Sequence, residues 1–120
     1  MIRISFGAVS FLFPGDIMAV AERELTQMKN SQLDSTVLMA PHHGSRTSST
    51  DVFLDAVNPQ ICVISCGWKS RYKFPHPEVL QRYGRRGYRT YRTDNHGAVT
   101  FITDGQELEV RPYFNKIERF

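Results

Sequence analysis

Two polar interruptions carry the side chains in this sequence best suited to metal or acid/base chemistry. Gly15-Asp16 ends the apolar run Val9–Phe13, and Pro41-His42-His43-Gly44-Ser45 follows the apolar run Thr36–Ala40. Each sets such side chains where a buried strand emerges into a loop, and rigid strands hold loop ligands within the tolerance that metal chemistry demands. Asp16 is acceptor-only when ionised and can bridge two cations. Taken alone, Gly-Asp reads equally well as a helix-capping aspartate. Neighbouring side chains diverge on an extended backbone, so His42 and His43 are expected to point apart, one ligating while the other orients it or serves in acid/base work. Gly44, Ser45, Thr47 and Ser49 are small or hydroxylic, which leaves space and donors for a phosphate or a water.

Two further histidines are ambiguous. His76 sits between Pro75 and Pro77 just before a helix start, where the dipole and the free amides welcome an anion, and a purely structural role fits as well. His96 reads as a turn residue, while Asp94 is placed to reach back toward the site. Lys69, Arg71, Lys73, Arg82, Arg85, Arg86, Arg89 and Arg92 fall in one span whose only carboxylate before Asp94 is Glu78. A polyanion such as nucleic acid explains that concentration, and a solvated helix face explains it equally. Cys62 and Cys66 lie on one strand about 13 Å apart when extended, beyond disulfide reach, and read as small core residues. No Walker loop, dinucleotide fingerprint, zinc-finger spacing or G-x-S-x-G elbow occurs, so those chemistries have no motif behind them.

The elements that position these residues are legible from periodicity. Ile2–Phe6 alternates, Gly7-Ala8 turns, and Val9–Phe13 returns as an apolar strand. Met18, Ala21, Leu25 and Met28 recur at helical spacing and predict a helix, which puts Asp16 at a strand-to-helix junction. Thr36–Ala40 is a second buried strand. A helix over Asp51–Val57, capped by Ser49 or Thr50 and stopped at Asn58-Pro59, leads into a third strand at Ile61–Ser65. Pro77 opens a helix that Gly87 ends; Arg89–Arg92 is a short strand; Ala98–Thr103 and Glu107–Arg111 form a hairpin across Asp104-Gly105. Strand–helix–strand connections of this length favour parallel pairing with right-handed crossovers. Residues 112–120 have no period and read as a tail. With 120 residues, 41% of them hydrophobic, and a formal charge of +3, the chain builds one modest core and has no apolar run near the ~20 residues of a membrane span. The sequence as given is expected to be soluble.

Four stretches together carry a resemblance: Phe11-Leu12-Phe13-Pro14-Gly15-Asp16; Ala40-Pro41-His42-His43-Gly44-Ser45-Arg46-Thr47-Ser48-Ser49; Arg71-Tyr72-Lys73-Phe74-Pro75-His76-Pro77-Glu78-Val79-Leu80; and Tyr91-Arg92-Thr93-Asp94-Asn95-His96-Gly97-Ala98. The chain resembles the metallo-β-lactamase-like domain at the C-terminus of the ComEC family of DNA internalisation competence proteins. That resemblance implies an α/β fold, half of an αββα sandwich with a mixed sheet and flanking helices, in residues 1–111. It also implies one or two divalent ions, zinc or manganese, and a phosphodiesterase or nuclease role on incoming DNA. Asp16 matches the bridging aspartate, His42 or His43 the histidine loop, and His76 the later loop, although Phe74 stands where relatives carry another histidine. The H-x-H-x-D-H or H-x-D-x-D-H ligand motif of such domains is missing and is expected upstream of Met1, with Ile2–Phe6 an interior strand of the complete domain.

On this reading the metal ligands are Asp16 and His43, the catalytic candidates His42 and His43, and the phosphate contacts Ser45, Thr47, His76, Arg71, Arg82, Arg85 and Arg86. The implied partners are DNA, a membrane-embedded parent that supplies the other ligands and faces outside the cytoplasm, and a second copy of the chain. The isolated piece is expected to be inactive. Two alternatives stand beside it: a non-catalytic DNA-binding or channel-docking module, and a small-molecule metallo-hydrolase with Trp68 and Tyr72 lining a closed pocket.

Overall fold

The expected N-terminal hairpin forms, with Ile2–Phe6 (β1) antiparallel to Val9–Phe13 (β2) and Ile4 opposite Phe11. The computed structural model describes residues 1–120. After helix α1 (Ala19–Gln27) the strands Val37–Met39 (β3), Ile61–Ile64 (β4) and Arg89–Arg92 (β5) add in parallel, giving a mixed sheet in the order β1-β2-β3-β4-β5. Helix α2 (Asp51–Val57) makes the β3-to-β4 crossover and α3 (Pro77–Arg85) the β4-to-β5 crossover. A single helical turn, α4 (Thr93–His96), leads to an antiparallel sheet of Val99–Thr103 (β6), Leu108–Pro112 (β7) and Glu118–Arg119 (β8). The protein is therefore α/β, with a mixed sheet and flanking helices.

Alternation along the strands sorts the core into two layers. Leu12, Leu38, Cys62 and Ile64 face the helices and pack with Phe53, Leu54, Val57, Val79 and Tyr83. Val9, Val37, Ile61, Val63 and Tyr91 face the opposite way, onto Leu108 and Val110 of the second sheet. All four residues of β4 are buried, as expected for a parallel strand covered on both faces. β1 forms an open edge, and its Ile2, Ile4 and Phe6 are exposed. No helix is long and apolar enough to cross a membrane.

The helix expected from Met18, Ala21, Leu25 and Met28 forms, with Leu25 packed against the core, Met18 and Met28 exposed at its ends, and Glu22 its fully buried residue. Two expectations change. Residues 112–120 do not trail away: β8 pairs with β7, and Glu118 takes the Arg89 guanidinium together with the Tyr91 hydroxyl at 2.7 Å. His96 lies in α4, where its Nδ1 accepts from the Arg92 amide at 2.9 Å.

Candidate functional site

Because β2, β3, β4 and β5 run parallel, their C-terminal ends share one rim of the sheet, where ligand sites of open α/β sheets form. Asp16 follows β2, His42 and His43 follow β3, Ser65 and Cys66 follow β4, and Thr93 and Asp94 follow β5. A cleft of about 580 Å³ on that rim is lined by Asp16, His42, His43, Cys66, Ser70 and Tyr72 among others.

The histidine segment is not extended. Pro41–Gly44 is one tight turn in which His42 (φ 48°) and His43 (φ 56°) are both left-handed, followed by Gly44 at φ 80°. Left-handed residues with side chains are strained by roughly 1–2 kcal/mol each and persist only where their surroundings enforce them. Here the His42 amide donates to Gly15 O at 3.1 Å, Ser45 N to His42 O at 2.9 Å and His76 N to Gly44 O at 2.9 Å. A Cβ on Gly44 would stand 2.7 Å from Pro75 Cβ, so glycine lets the two loops touch.

This turn aims His43 at Asp16. His43 Nδ1 is 2.9 Å from Ser65 O, and since a carbonyl only accepts, Nδ1 carries the hydrogen. Nε2 then faces Asp16 Oδ1 at 3.5 Å, with side chains 49% and 69% exposed. A neutral imidazole lone pair and a carboxylate oxygen repel, so a proton on Nε2 or a cation between the two completes the pair. An imidazole oriented through Nδ1 by a backbone carbonyl is the arrangement typical of a metal-binding histidine. His42 Nδ1 is buried without a hydrogen-bond partner, and its ring meets Phe74 edge-on at 5.9 Å. The donors fit a cation in part: no group of three His, Cys, Asp or Glu side chains converges, whereas a tight site takes three or four.

Behind the turn, a buried clamp fixes the segment that follows. Ser48 Oγ donates to Pro41 O at 3.2 Å and Ser45 O at 3.1 Å. Glu22, 0% exposed, accepts from Ser49 N at 2.6 Å and Thr50 N at 2.8 Å. Arg82 Nη1 donates to Ser48 O at 3.2 Å and Ser49 O at 3.1 Å, and Ser49 Oγ pairs with Tyr83 OH at 2.8 Å. Burial pushes the Tyr83 phenol well above its ordinary range.

Other residues singled out in the sequence lie elsewhere. Ser45 is buried and shares a 2.9 Å hydrogen bond with Thr47, so the two hydroxyls satisfy each other outside the cleft. His76 caps α3, its Nδ1 accepting from Glu78 N at 3.2 Å. Arg86 bridges Asp51 and Asp55 at 2.9 Å each, Arg89 pairs with Glu118, and Arg92 with Asp94 at 2.6 Å. Lys69, Arg71, Lys73 and Arg85 are exposed and in no ion pair. Trp68 stands out in solvent away from the cleft, and Tyr72, though largely exposed, lines the cleft's open side, so the two do not wall a closed pocket.

Sequence reasoning missed Cys66 and Glu22 as parts of the site. Cys66 Sγ donates to Asp94 Oδ1 at 3.2 Å; burial first, then this bond, raises its thiol pKa. The hydrogen bond from Arg92, then that from Cys66, outweighs burial and holds Asp94 below the usual carboxylate range. The signal for Cys66 was its place just beyond a parallel strand. No sequence signal marks Glu22, which sits on an ordinary helix. Cys62 is a buried free thiol, as expected.

Fold and rim together define an α/β domain of two stacked sheets, with a carboxylate and an imidazole held on separate loops at the C-terminal ends of parallel strands. The chain is 39% identical over 101 residues to Competence protein ComA of Neisseria gonorrhoeae, covering 84% of this chain and 15% of that protein. It is 33% identical over 95 residues to ComE operon protein 3 of Bacillus subtilis (79% of this chain, 12% of that protein). It is 32% identical over 111 residues to Recombination protein 2 of Haemophilus influenzae (91% and 14%). The chain thus spans about a seventh or less of the length of each. No family model and no solved structure matches it.

Proposed function

We propose that this chain is the C-terminal part of a metallo-β-lactamase-like domain of a DNA-uptake protein, and that it contributes Asp16 and His43 to a divalent-cation phosphodiesterase site acting on DNA. Homology to competence proteins supports the DNA-uptake setting. The observation that carries the site is the approach of His43 Nε2 to Asp16 Oδ1 while Ser65 O orients the ring. The helix–sheet–sheet layering is also what three of the four layers of an αββα sandwich require.

Asp16 and His43 would hold zinc or manganese, with the remaining ligands supplied by the rest of a membrane-tethered parent. A bound divalent ion supplies Lewis acidity toward phosphate oxygens and lowers the pKa of water. The chain's own residues orient the His43 imidazole and keep the Asp16 carboxylate in solvent reach, and His42, which lines the same cleft, would serve in proton transfer to a leaving oxygen.

The test is hydrolysis of single- and double-stranded DNA by the longer protein containing this chain, with zinc, manganese or chelator, beside Asp16→Asn and His43→Ala. Metal-dependent cleavage lost in both variants is the expected result; cleavage indifferent to Asp16 refutes the reading. One observation favours the alternative of a non-catalytic DNA-binding or docking module, namely that only two donors converge here. That module would bind DNA identically with and without metal and never cleave it.

A further inference from the structure

Between β4 and α3, the loop Gly67–Pro75 carries two aromatic rings that contribute nothing to the core: Trp68 is 73% exposed and Tyr72 75%. Rings of this size ordinarily serve cores or interfaces. They alternate with Lys69, Arg71 and Lys73, which have no carboxylate partner. Lys69 Nζ lies 4.5 Å from the Trp68 ring centroid. The loop is shaped by two successive turns, Ser70 N to Gly67 O at 3.1 Å and Lys73 N to Ser70 O at 2.9 Å.

A ladder of rings connects this loop to the site. Tyr72 stacks on Phe74 with centroids 5.8 Å apart and planes 24° apart, and Phe74 meets His42 edge-on at 5.9 Å. Tyr72 and Phe74 line the same cleft as Asp16 and His43.

The geometry points to single-stranded DNA as the ligand of this loop, with unpaired bases stacking on Tyr72 and Trp68 and the strand leading into the cleft at Asp16. Lys69, Arg71 and Lys73 neutralise phosphates between the stacked bases. Every base has a π face, so such a platform tolerates sequence. In a duplex those faces are covered by neighbouring pairs, and only the phosphates remain for the loop to touch. This deepens the reading above, on which it rests for DNA as the ligand, but stacking needs no metal.

Trp68 is the sole tryptophan, so its fluorescence reports stacking directly. The 120-residue chain in EDTA is titrated with a 12-nucleotide oligo(dT) and with a 12-base-pair duplex, and binding is followed in parallel by anisotropy of the labelled oligonucleotides. Saturable quenching by oligo(dT), little by duplex, is expected. Tyr72→Ala and Trp68→Ala, read by anisotropy, should each weaken single-strand binding roughly 5- to 150-fold, with less than about a twofold effect on duplex. Binding of oligo(dT) without quenching, equal losses for single strand and duplex, or no binding at all overturns the inference. Since chelator is present throughout, a failed hydrolysis assay leaves this result untouched, and a failed quench leaves the metal site untouched.

Discussion

Replacing Glu22 by alanine should loosen the histidine turn from behind. The carboxylate is fully buried and accepts from Ser49 N and Thr50 N at 2.6 and 2.8 Å. A buried amide left without a partner costs about 1–3 kcal/mol. Ser49 is fully buried, so its amide bears that cost in full, whereas half-buried Thr50 can recruit water. Relief of the carboxylate's own desolvation offsets part of the loss. The net is about 2 kcal/mol. With an unfolding entropy of about 2.1 cal/mol/K per residue over 120 residues, that lowers Tm by about 8 °C. Glu22→Gln keeps one acceptor oxygen and should lose about half as much. Urea unfolding and calorimetry give the two values, and amide exchange at Ser48–Thr50 gives the local one. An alanine variant within about 0.5 kcal/mol of the parent, the range of an ordinary surface change, refutes the clamp; so does a glutamine variant no better than alanine.

Asp94, held low by Arg92 and Cys66, contributes stability that is present above the unfolded carboxylate pKa of about 4 and lost as pH falls through the lower folded value. Asp94→Asn should therefore be less stable than the parent at pH 6, with the gap closing below about pH 4; a gap that stays constant in urea melts across this range contradicts the pairing. The same variant should alkylate faster at Cys66, because it removes a group that raises the thiol pKa; iodoacetamide kinetics at pH 8 followed by peptide mapping would read it. With Arg82, Arg86, Arg89 and Arg92 engaged internally, four cations of the basic span stay free. The slope of log K against log salt for duplex DNA should then be no steeper than about −4, where all eight would give about −7; a slope near −7 would mean the ion pairs open on binding.

Parallel topology, α2 with its Thr50 cap, α3 behind Pro77 and both hairpins were legible because each has a local cause: period, cap, proline or Asp-Gly turn. The convergence of Asp16 with His43 was legible only as two strand ends, and it forms because parallel pairing delivers both loops to one rim. His43 was named beside Asp16, and it is His43 that faces the carboxylate; the backbone that turns it there was not legible, since left-handed conformation at His42 and His43 replaces the extended chain that was expected. Nor was the split of the basic span, because Arg86 meets Asp51 and Asp55 only when α2 and α3 pack side by side. Glu22 shows the limit most plainly. Apolar spacing marked Leu25, which does pack against the core, but nothing local marked the carboxylate of Glu22 for burial, because its donors, the Ser49 and Thr50 amides, lie 27 and 28 positions away.

The sequence by itself determined the elements, their order and the residue types able to do chemistry, since propensity and periodicity act over a few neighbouring residues. Only the tertiary structure decided how the His43 imidazole is turned toward Asp16, which arginines remain free and which aromatics face water. Those outcomes depend on hydrogen bonds and ion pairs between residues about 30 positions apart along the chain, which no local pattern encodes.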